Sequence, residues 1–245
     1  MNDHKRAPKT PDPVKNLLVL APFCWPDVTI FLISSDATAS WDDKVLACLS
    51  VDEKARSMTM TSPERRHRFL LGRAALRLIL SAFDGHVVAE NAWLFGTAAN
   101  GKPIVTTPNN RRVAFNLSHA ECFTAIAVSR TADIGVDIEV NHEIPEPELP
   151  WHLFSGDEQR LLKTTAPKAF PDAFFRLWTM KEAIAKRTGL GFATEFSEIN
   201  TLALPIIDGL DNIAKARHDQ DHFFHVAAPV LGQTLHLAVS TKVLS

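Results

Sequence analysis

The sequence predicts an α+β fold, because apolar strand-like runs and long amphipathic helices recur on both sides of a break near residue 130. Three observations carry this. VTIFLIS (28–34) is a β-branched apolar run of strand length. A helical pattern with apolar residues at 70, 71, 74, 78 and 79 follows the start signal Ser62-Pro63-Glu64. ADIGVDIEV (132–140) alternates with period two, and a second long helical pattern lies at 172–188, stopped by Gly189.

In chain order, residues 1–16 are polar and proline-rich and read as a disordered tail without a signal-peptide core. The stretch 42–60 reads as helix, with Leu46, Leu49 and Ala55 as its apolar stripe. The helix from Ser62 should end at Phe83, before Asp84-Gly85, with Arg65, Arg66, Arg68, Arg73 and Arg77 on its solvent side. A strand at 92–95, a turn at Asn100-Gly101-Lys102-Pro103, and strands at 113–117, 123–129 and 134–140 follow. Residues 144–150 (IPEPELP) read as a connection. Ser155 with Glu158 three positions later is a capping box opening another helix, and short strands fall at 223–226 and 235–240. The halves show no sequence identity to each other.

Bulk properties narrow the function classes. The 245 residues are 46% hydrophobic and 22% charged, with a formal net charge of −2, so there is no basic field for nucleic acid or anionic membrane. Cys24, Cys48 and Cys122 lie far apart without CxxC spacing, which argues against a zinc site or a disulfide framework and for a reducing compartment. No apolar run approaches the ~20 residues that span a bilayer. The expectation is a cytoplasmic protein.

Three segments bear chemistry. Period two puts Asp137 and Glu139 on one strand face, where paired carboxylates repel unless a proton or cation lies between them. Mg²⁺ suits such a pair, since it takes one or two carboxylates plus substrate phosphates. A half-solvated strand would show the same alternation, but Gly135 within it leans the other way, since a glycine inside a strand often marks the close approach of something else. In the helix 172–188, Glu182 and Lys186 stand at i, i+4, which also describes an ordinary surface ion pair. In AFNLSHAE (114–121), adjacent Ser118 and His119 face opposite ways on a strand, so they do not form a nucleophile–base pair, and there is no GxSxG elbow.

Together and in this order, Gly101-Lys102-Pro103, FNLSHAE (115–121), GVDIE (135–139), FFRLWTMKEAIAKRTGLG (174–191) and the arginine-rich helix ending LLGRAALR resemble the Sfp-type 4'-phosphopantetheinyl transferases. The DIE and WxxKEA motifs, about forty residues apart, are its most specific part. The resemblance spans roughly residues 50–200 and leaves the tail and the segment after 205 without a signature.

The resemblance implies two similar α/β subdomains related by a pseudo-twofold, at 17–130 and 131–245, with the coenzyme A site in the cleft between them and a monomer sufficient. It implies transfer of the phosphopantetheine arm of coenzyme A to a serine of an apo acyl- or peptidyl-carrier protein, releasing adenosine 3',5'-bisphosphate. It further implies Asp137, Glu139 and Glu182 as ligands of Mg²⁺ (or Mn²⁺) and Lys186 at the attacked phosphate. Ser118, described there as a turn, and His119 would bind coenzyme A phosphates. Lys102 would hold the nucleotide end, Arg68 and Lys54 would lie near the 3'-phosphate, and Glu158 would be a second candidate base.

The chemistry asks for these residue types. A pyrophosphate leaving group needs its charge neutralised, and the serine must lose a proton to a base within reach. Lys186 could accept it only from a neutral fraction, which burial favours and nearby carboxylates oppose, so the expected acceptor is a carboxylate relay or water at the metal, with Lys186 as electrostatic support. A metal-dependent phosphodiesterase would also use clustered carboxylates, but it lacks support from a basic, aromatic nucleic-acid face. A non-catalytic carrier-binding relative would have no need of the carboxylate triad.

Overall fold

The structure is a computed structural model that describes residues 23–25, 28–34, 42–106, 113–145, 149–189, 196–204, 206–208, 222–230 and 233–243. The tail at 1–16, residues 146–148 of the predicted connection and the Leu190-Gly191 end of the helix motif lie outside the described residues.

Two antiparallel-rich sheets lie face to face, each backed by one long helix. In the first sheet β1 (Phe23–Trp25), β2 (Val28–Ser34), β6 (Phe123–Ser129) and β5 (Ala114–Ala120) are ordered β1-β2-β6-β5, all antiparallel. In the second, β7 (Ala132–Val140), β10 (Gln233–Val243), β9 (His222–Val230) and β8 (Ile206–Asp208) are ordered β7-β10-β9-β8, with only β8 running parallel to its neighbour. A small hairpin of β3 (Phe95–Thr97) and β4 (Pro103–Val105) stands apart from both.

The period-two pattern decides what each face meets. Val28, Ile30, Leu32, Ala125 and Ala127 of the first sheet share a core with Ile134, Val136, Ile138, Leu237 and Val239 of the second. The other face of the first sheet, with Phe31, Ile33, Phe115, Ile126 and Val128, packs against α3 (Pro63–Phe83) through Leu71, Ala75, Leu78 and Ile79. The other face of the second sheet packs against α5 (Phe170–Thr188), where Met180, Ala183 and Ile184 meet Phe223 and Ala238.

Local signals set the helix ends. Ser62 caps α3 by accepting from the Arg65 amide, with Pro63 in the first turn. Gly189 ends α5 in the left-handed conformation at φ 74°. Ser155 and Glu158 form the expected capping box at the start of α4 (Gly156–Thr164).

Several sequence expectations shift. The stretch 42–60 is two helices, α1 (Asp42–Cys48) and α2 (Val51–Met58), because Ser50 and Glu53 form a capping box that restarts the chain. Leu49 is buried as expected, but Leu46 and Ala55 are exposed. The strand expected at 92–95 starts only at Phe95, as β3, after a 3-10 turn at Glu90–Ala92, and Trp93 is fully buried with its indole N–H donating to Ser81 Oγ at 2.8 Å. Arg77 is a core residue: its guanidinium pairs with Glu53 at 2.8 Å and donates to the Glu90 and Trp93 carbonyls. Arg73 joins the same carboxylate and stacks over Phe95.

Candidate active site

The site lies where β7 runs beneath the C-terminal half of α5. On β7 the odd-numbered side chains face α5. At Gly135 the approach is so close that a Cβ would sit 2.0 Å from the Ala183 carbonyl oxygen and 2.5 Å from the Arg187 nitrogen. Only glycine admits this packing, so the glycine noted in the sequence marks the arrival of α5. Two and four residues on, Asp137 and Glu139 project from the same face.

Asp137 is buried at 3% exposure. Its Oδ1 accepts from Lys186 Nζ at 2.6 Å and from Ser118 Oγ at 2.7 Å, and Lys186 Nζ also donates to Ser118 Oγ at 2.8 Å. The three groups thus close a triangle drawn from β5, β7 and α5. The i, i+4 pairing of Glu182 with Lys186 suggested by the sequence does not form as a hydrogen bond: Lys186 turns to Asp137 instead. The other Asp137 oxygen, Oδ2, and Glu182 Oε1 are both buried without a hydrogen-bond partner.

The electrostatics follow from this packing. Burial, then the negative charge of Asp137, pushes the Glu139 and Glu182 carboxyls up to about 7 from 4.5; a Trp178 hydrogen bond to Glu139 pulls the other way. Burial also raises Asp137, against the pull of Lys186 and Ser118. Three carboxylates whose charge is penalised and two buried oxygens without partners fit a hard divalent cation, which takes carboxylate oxygens and would offset both costs. Among the described residues no group of three or more His, Cys, Asp or Glu side chains is placed, as it stands, to hold a metal ion. An Mg²⁺ site that draws its remaining ligands from substrate and water does not require one.

Ser118 and His119 face opposite ways, as alternation on a strand demands. Ser118 lies on β5 rather than on a turn, buried with its hydroxyl engaged as above. The His119 ring lies against Gly72 of α3, where an added Cβ would come within 3.0 Å of it, and its Nδ1 shares a proton with Thr124 Oγ1 at 2.8 Å. Partial burial, then the Lys186 and Arg68 charges, holds the imidazole below its ordinary value, so it is neutral at pH 7. Arg68 reaches the same region and donates to the Glu121 carbonyl at 2.9 Å. Glu121 forms the β5–β6 turn in a left-handed conformation at φ 46°. His119 and Arg68 thus lie on the α3 side of β5, opposite Ser118, where the Lys186 charge still reaches the imidazole. Lys54 is exposed on α2, and no contact of its side chain joins it to that group.

Two predicted residues have other occupations. Lys102 Nζ binds Asp133 Oδ1, the Ile134 carbonyl at 2.9 Å and the Arg187 carbonyl at 3.0 Å. Glu158 is fully buried. It accepts from the Ser155 amide at 2.8 Å, from Thr201 N at 2.8 Å and Oγ1 at 2.6 Å, and pairs with Lys181 at 2.9 Å. Its lone pairs are committed to holding α4, α5 and the turn at Thr201–Ala203 together.

The sequence places Trp178 and Lys181 in WxxKEA and Asn116 in FNLSHAE, but gives Lys181 and Asn116 no role of their own. Asn116 Oδ1 accepts from the Val136 amide at 2.9 Å and so fixes β7 beside β5. Its signal was its place two residues before Ser118 on the same strand face.

Comparison with known proteins shows the family. The sequence profile of the 4'-phosphopantetheinyl transferase superfamily matches residues 133–238, which include all three carboxylates. Similar proteins include the 4'-phosphopantetheinyl transferase HetI of Nostoc sp., 34% identical over 207 residues covering 84% of this chain and 83% of the relative. The chain belongs to the 4'-phosphopantetheinyl transferase superfamily. Within the superfamily it is also similar to a Bacillus subtilis 4'-phosphopantetheinyl transferase, at 25% identity over 78% of this chain and 85% of the relative. The Sfp enzyme of Bacillus subtilis strain 168 is 31% identical over 59% and 67% respectively. No helix among the described residues is long and apolar enough to cross a membrane.

Proposed function

We propose that this chain transfers the 4'-phosphopantetheine group of coenzyme A to a serine hydroxyl of an apo acyl- or peptidyl-carrier protein, releasing adenosine 3',5'-bisphosphate. The observation that carries the reading is the set of buried, partnerless oxygens on Asp137 and Glu182 beside Lys186, within a superfamily whose members bear this activity as their name.

In this reading Asp137, Glu139 and Glu182 hold Mg²⁺, which Mn²⁺ can replace. When bound, the ion supplies Lewis-acid polarisation of the pyrophosphate oxygens. The chain's own residues do the rest. Lys186, which donates to Asp137 at 2.6 Å, sets positive charge at the phosphate that is attacked. Ser118 holds that lysine and the Asp137 oxygen in register. Neutral His119 donates to a phosphate oxygen, with Arg68 and, further out, Lys54 toward the 3'-phosphate. The carrier serine oxygen forms a bond to phosphorus as the bond to the bridging pyrophosphate oxygen breaks. The serine proton leaves through the carboxylate cluster to solvent. Glu158 is not carried forward as a base, because its oxygens are spent on Lys181, Ser155 and Thr201.

We read residues 17–130 and 131–245 as two similar subdomains related by a pseudo-twofold, with coenzyme A in the cleft between them. The placement of one four-stranded sheet and one long helix in each half supports that division. The chain is read as a cytoplasmic monomer. The test is the intact mass of an apo-carrier protein incubated with the chain, coenzyme A and Mg²⁺. A gain of one phosphopantetheine that EDTA abolishes supports the reading. Hydrolysis of coenzyme A with the carrier unmodified refutes it.

A further inference from the structure

Lys102 sits at the tip of the β3–β4 hairpin, in the turn made by Gly101 at φ 83° and closed by the Ala98 amide donating to the Lys102 carbonyl at 2.8 Å. An ammonium has three protons. Those of Lys102 have three acceptors in the protein: the Asp133 carboxylate, the Ile134 carbonyl and the Arg187 carbonyl. Only 9% of its side chain is exposed. A lysine set to grip a phosphate would present its protons to solvent, so this ammonium is already spent.

What it grips is specific. Ile134 lies three residues before Asp137 on β7, and Arg187 directly follows Lys186 in the last turn of α5. The neighbouring Asn100 acts on the same helix end, its Nδ2 donating to the Thr188 carbonyl at 3.0 Å. Asn100 lies so close over Gly189 that a Cβ there would come within 2.1 Å of its amide nitrogen. The hairpin tip therefore caps the C-terminus of α5, satisfying carbonyls that a helix end leaves open and placing a cation at the negative end of the dipole. By holding Ile134 and Arg187 with one group, it also fixes the offset between β7 and α5. That offset sets the 2.6 Å pair of Lys186 with Asp137.

We propose that Lys102 is a positioning residue for the transfer reaction, one that clamps β7 to the end of α5 and so aligns Lys186 with the carboxylates, and not a contact to the nucleotide of coenzyme A. The proposal rests on the transferase reading given above. Asn100 is the second arm of the same clamp.

The test is Lys102→Met in the full chain, read by kcat, the Mg²⁺ concentration for half-maximal rate, and the Kd of adenosine 3',5'-bisphosphate, which carries the nucleotide end of coenzyme A. A misplacement of about 1 Å caused by a change far from the chemistry can cost roughly 10²-fold in rate, and a smaller shift costs less. The expected result is a kcat lowered about tenfold and a raised Mg²⁺ requirement, with the bisphosphate Kd unchanged. Asn100→Ala, which leaves the cation in place, should move the Mg²⁺ requirement in the same direction by less. It keeps the test open if Lys102→Met does not fold. A weakened bisphosphate Kd with unchanged Mg²⁺ requirement overturns the proposal, as does an unchanged Mg²⁺ requirement in both variants. A wild-type chain that modifies no carrier refutes the functional reading instead, which is a separate outcome.

Discussion

Lys181 and Glu182 are neighbours on α5, and the helix sends them into opposite circumstances. Lys181 enters a pocket where every charge is answered: its ammonium pairs with Glu158 and donates to the Phe196 carbonyl at 2.9 Å and to the Ile199 carbonyl. Glu182 faces β7, where one of its oxygens is buried without a hydrogen-bond partner and its carboxyl pKa is pushed up to about 7. Both sites contain buried charge. Only one of them is closed. A satisfied ionic network does structural work and leaves nothing over for a ligand, whereas an unsatisfied one costs stability and is the mark of a place that something else completes.

The comparison can be broken first at Lys181. Replacing it with Met leaves Glu158 buried without its counter-charge, and removing one member of a buried pair costs about 3–5 kcal/mol. A urea melt of Lys181→Met should show that loss. A melt unchanged from wild type would mean the network is not what holds α4 to α5.

Glu182→Gln should behave in the opposite sense. It removes a charge that the fold penalises, so the metal-free protein should melt higher at pH 8. The transfer rate should fall by at least about 10²-fold, the scale of losing one preorganised electrostatic contact at a developing charge. A variant that loses both stability and activity would place Glu182 with Lys181 among the structural residues.

Ser118→Ala should have a smaller effect. It removes one hydrogen bond to the Asp137 carboxylate, worth about 1.5–3 kcal/mol for a charged group, and should slow transfer roughly tenfold to hundredfold while His119, on the other face, keeps its contact with Thr124. An equal loss of activity through weakened coenzyme A binding alone would assign Ser118 to the substrate instead.

The smallest expected effect is on pH. Glu139 and Glu182 are raised in the fold from 4.5 to about 7, so between those values the folded state holds protons that the unfolded chain has released. Stability of the metal-free protein should therefore fall as pH rises from about 4.5 to about 7 on account of these groups, and level above that. Glu139→Gln with Glu182→Gln should flatten that part of a Tm-against-pH curve. Cation affinity should run the other way and weaken as pH falls below about 7, because protons compete for the same oxygens.

Much of this was legible in residue order, and the reasons differ by element. Alternation in ADIGVDIEV put Asp137 and Glu139 on one face, and Gly135 showed that the face meets something close; that the something is α5 is tertiary information. Helix ends at Ser62, Ser155 and Gly189 were readable because capping is local. The partners of charged residues were not. Arg77 has the look of a solvent-side arginine until Glu53, 24 residues earlier, is folded against it. Lys186 has a carboxylate at the ideal helical spacing and takes Asp137, 49 residues away, instead. Glu158 could be placed at a helix start but not excluded as a base, since Thr201 lies 43 residues beyond it. Lys102 stands in the motif that suggests a nucleotide contact, and only the folded hairpin shows its protons taken.

The most direct measurement is calorimetric titration of coenzyme A into the wild-type chain and into Glu182→Gln, each with Mg²⁺ and with EDTA. The account predicts that Mg²⁺ tightens coenzyme A binding to the wild type and gives Glu182→Gln little or no gain. Equal tightening in both proteins would contradict the claim that the partnerless carboxylate on α5 is where the cation binds.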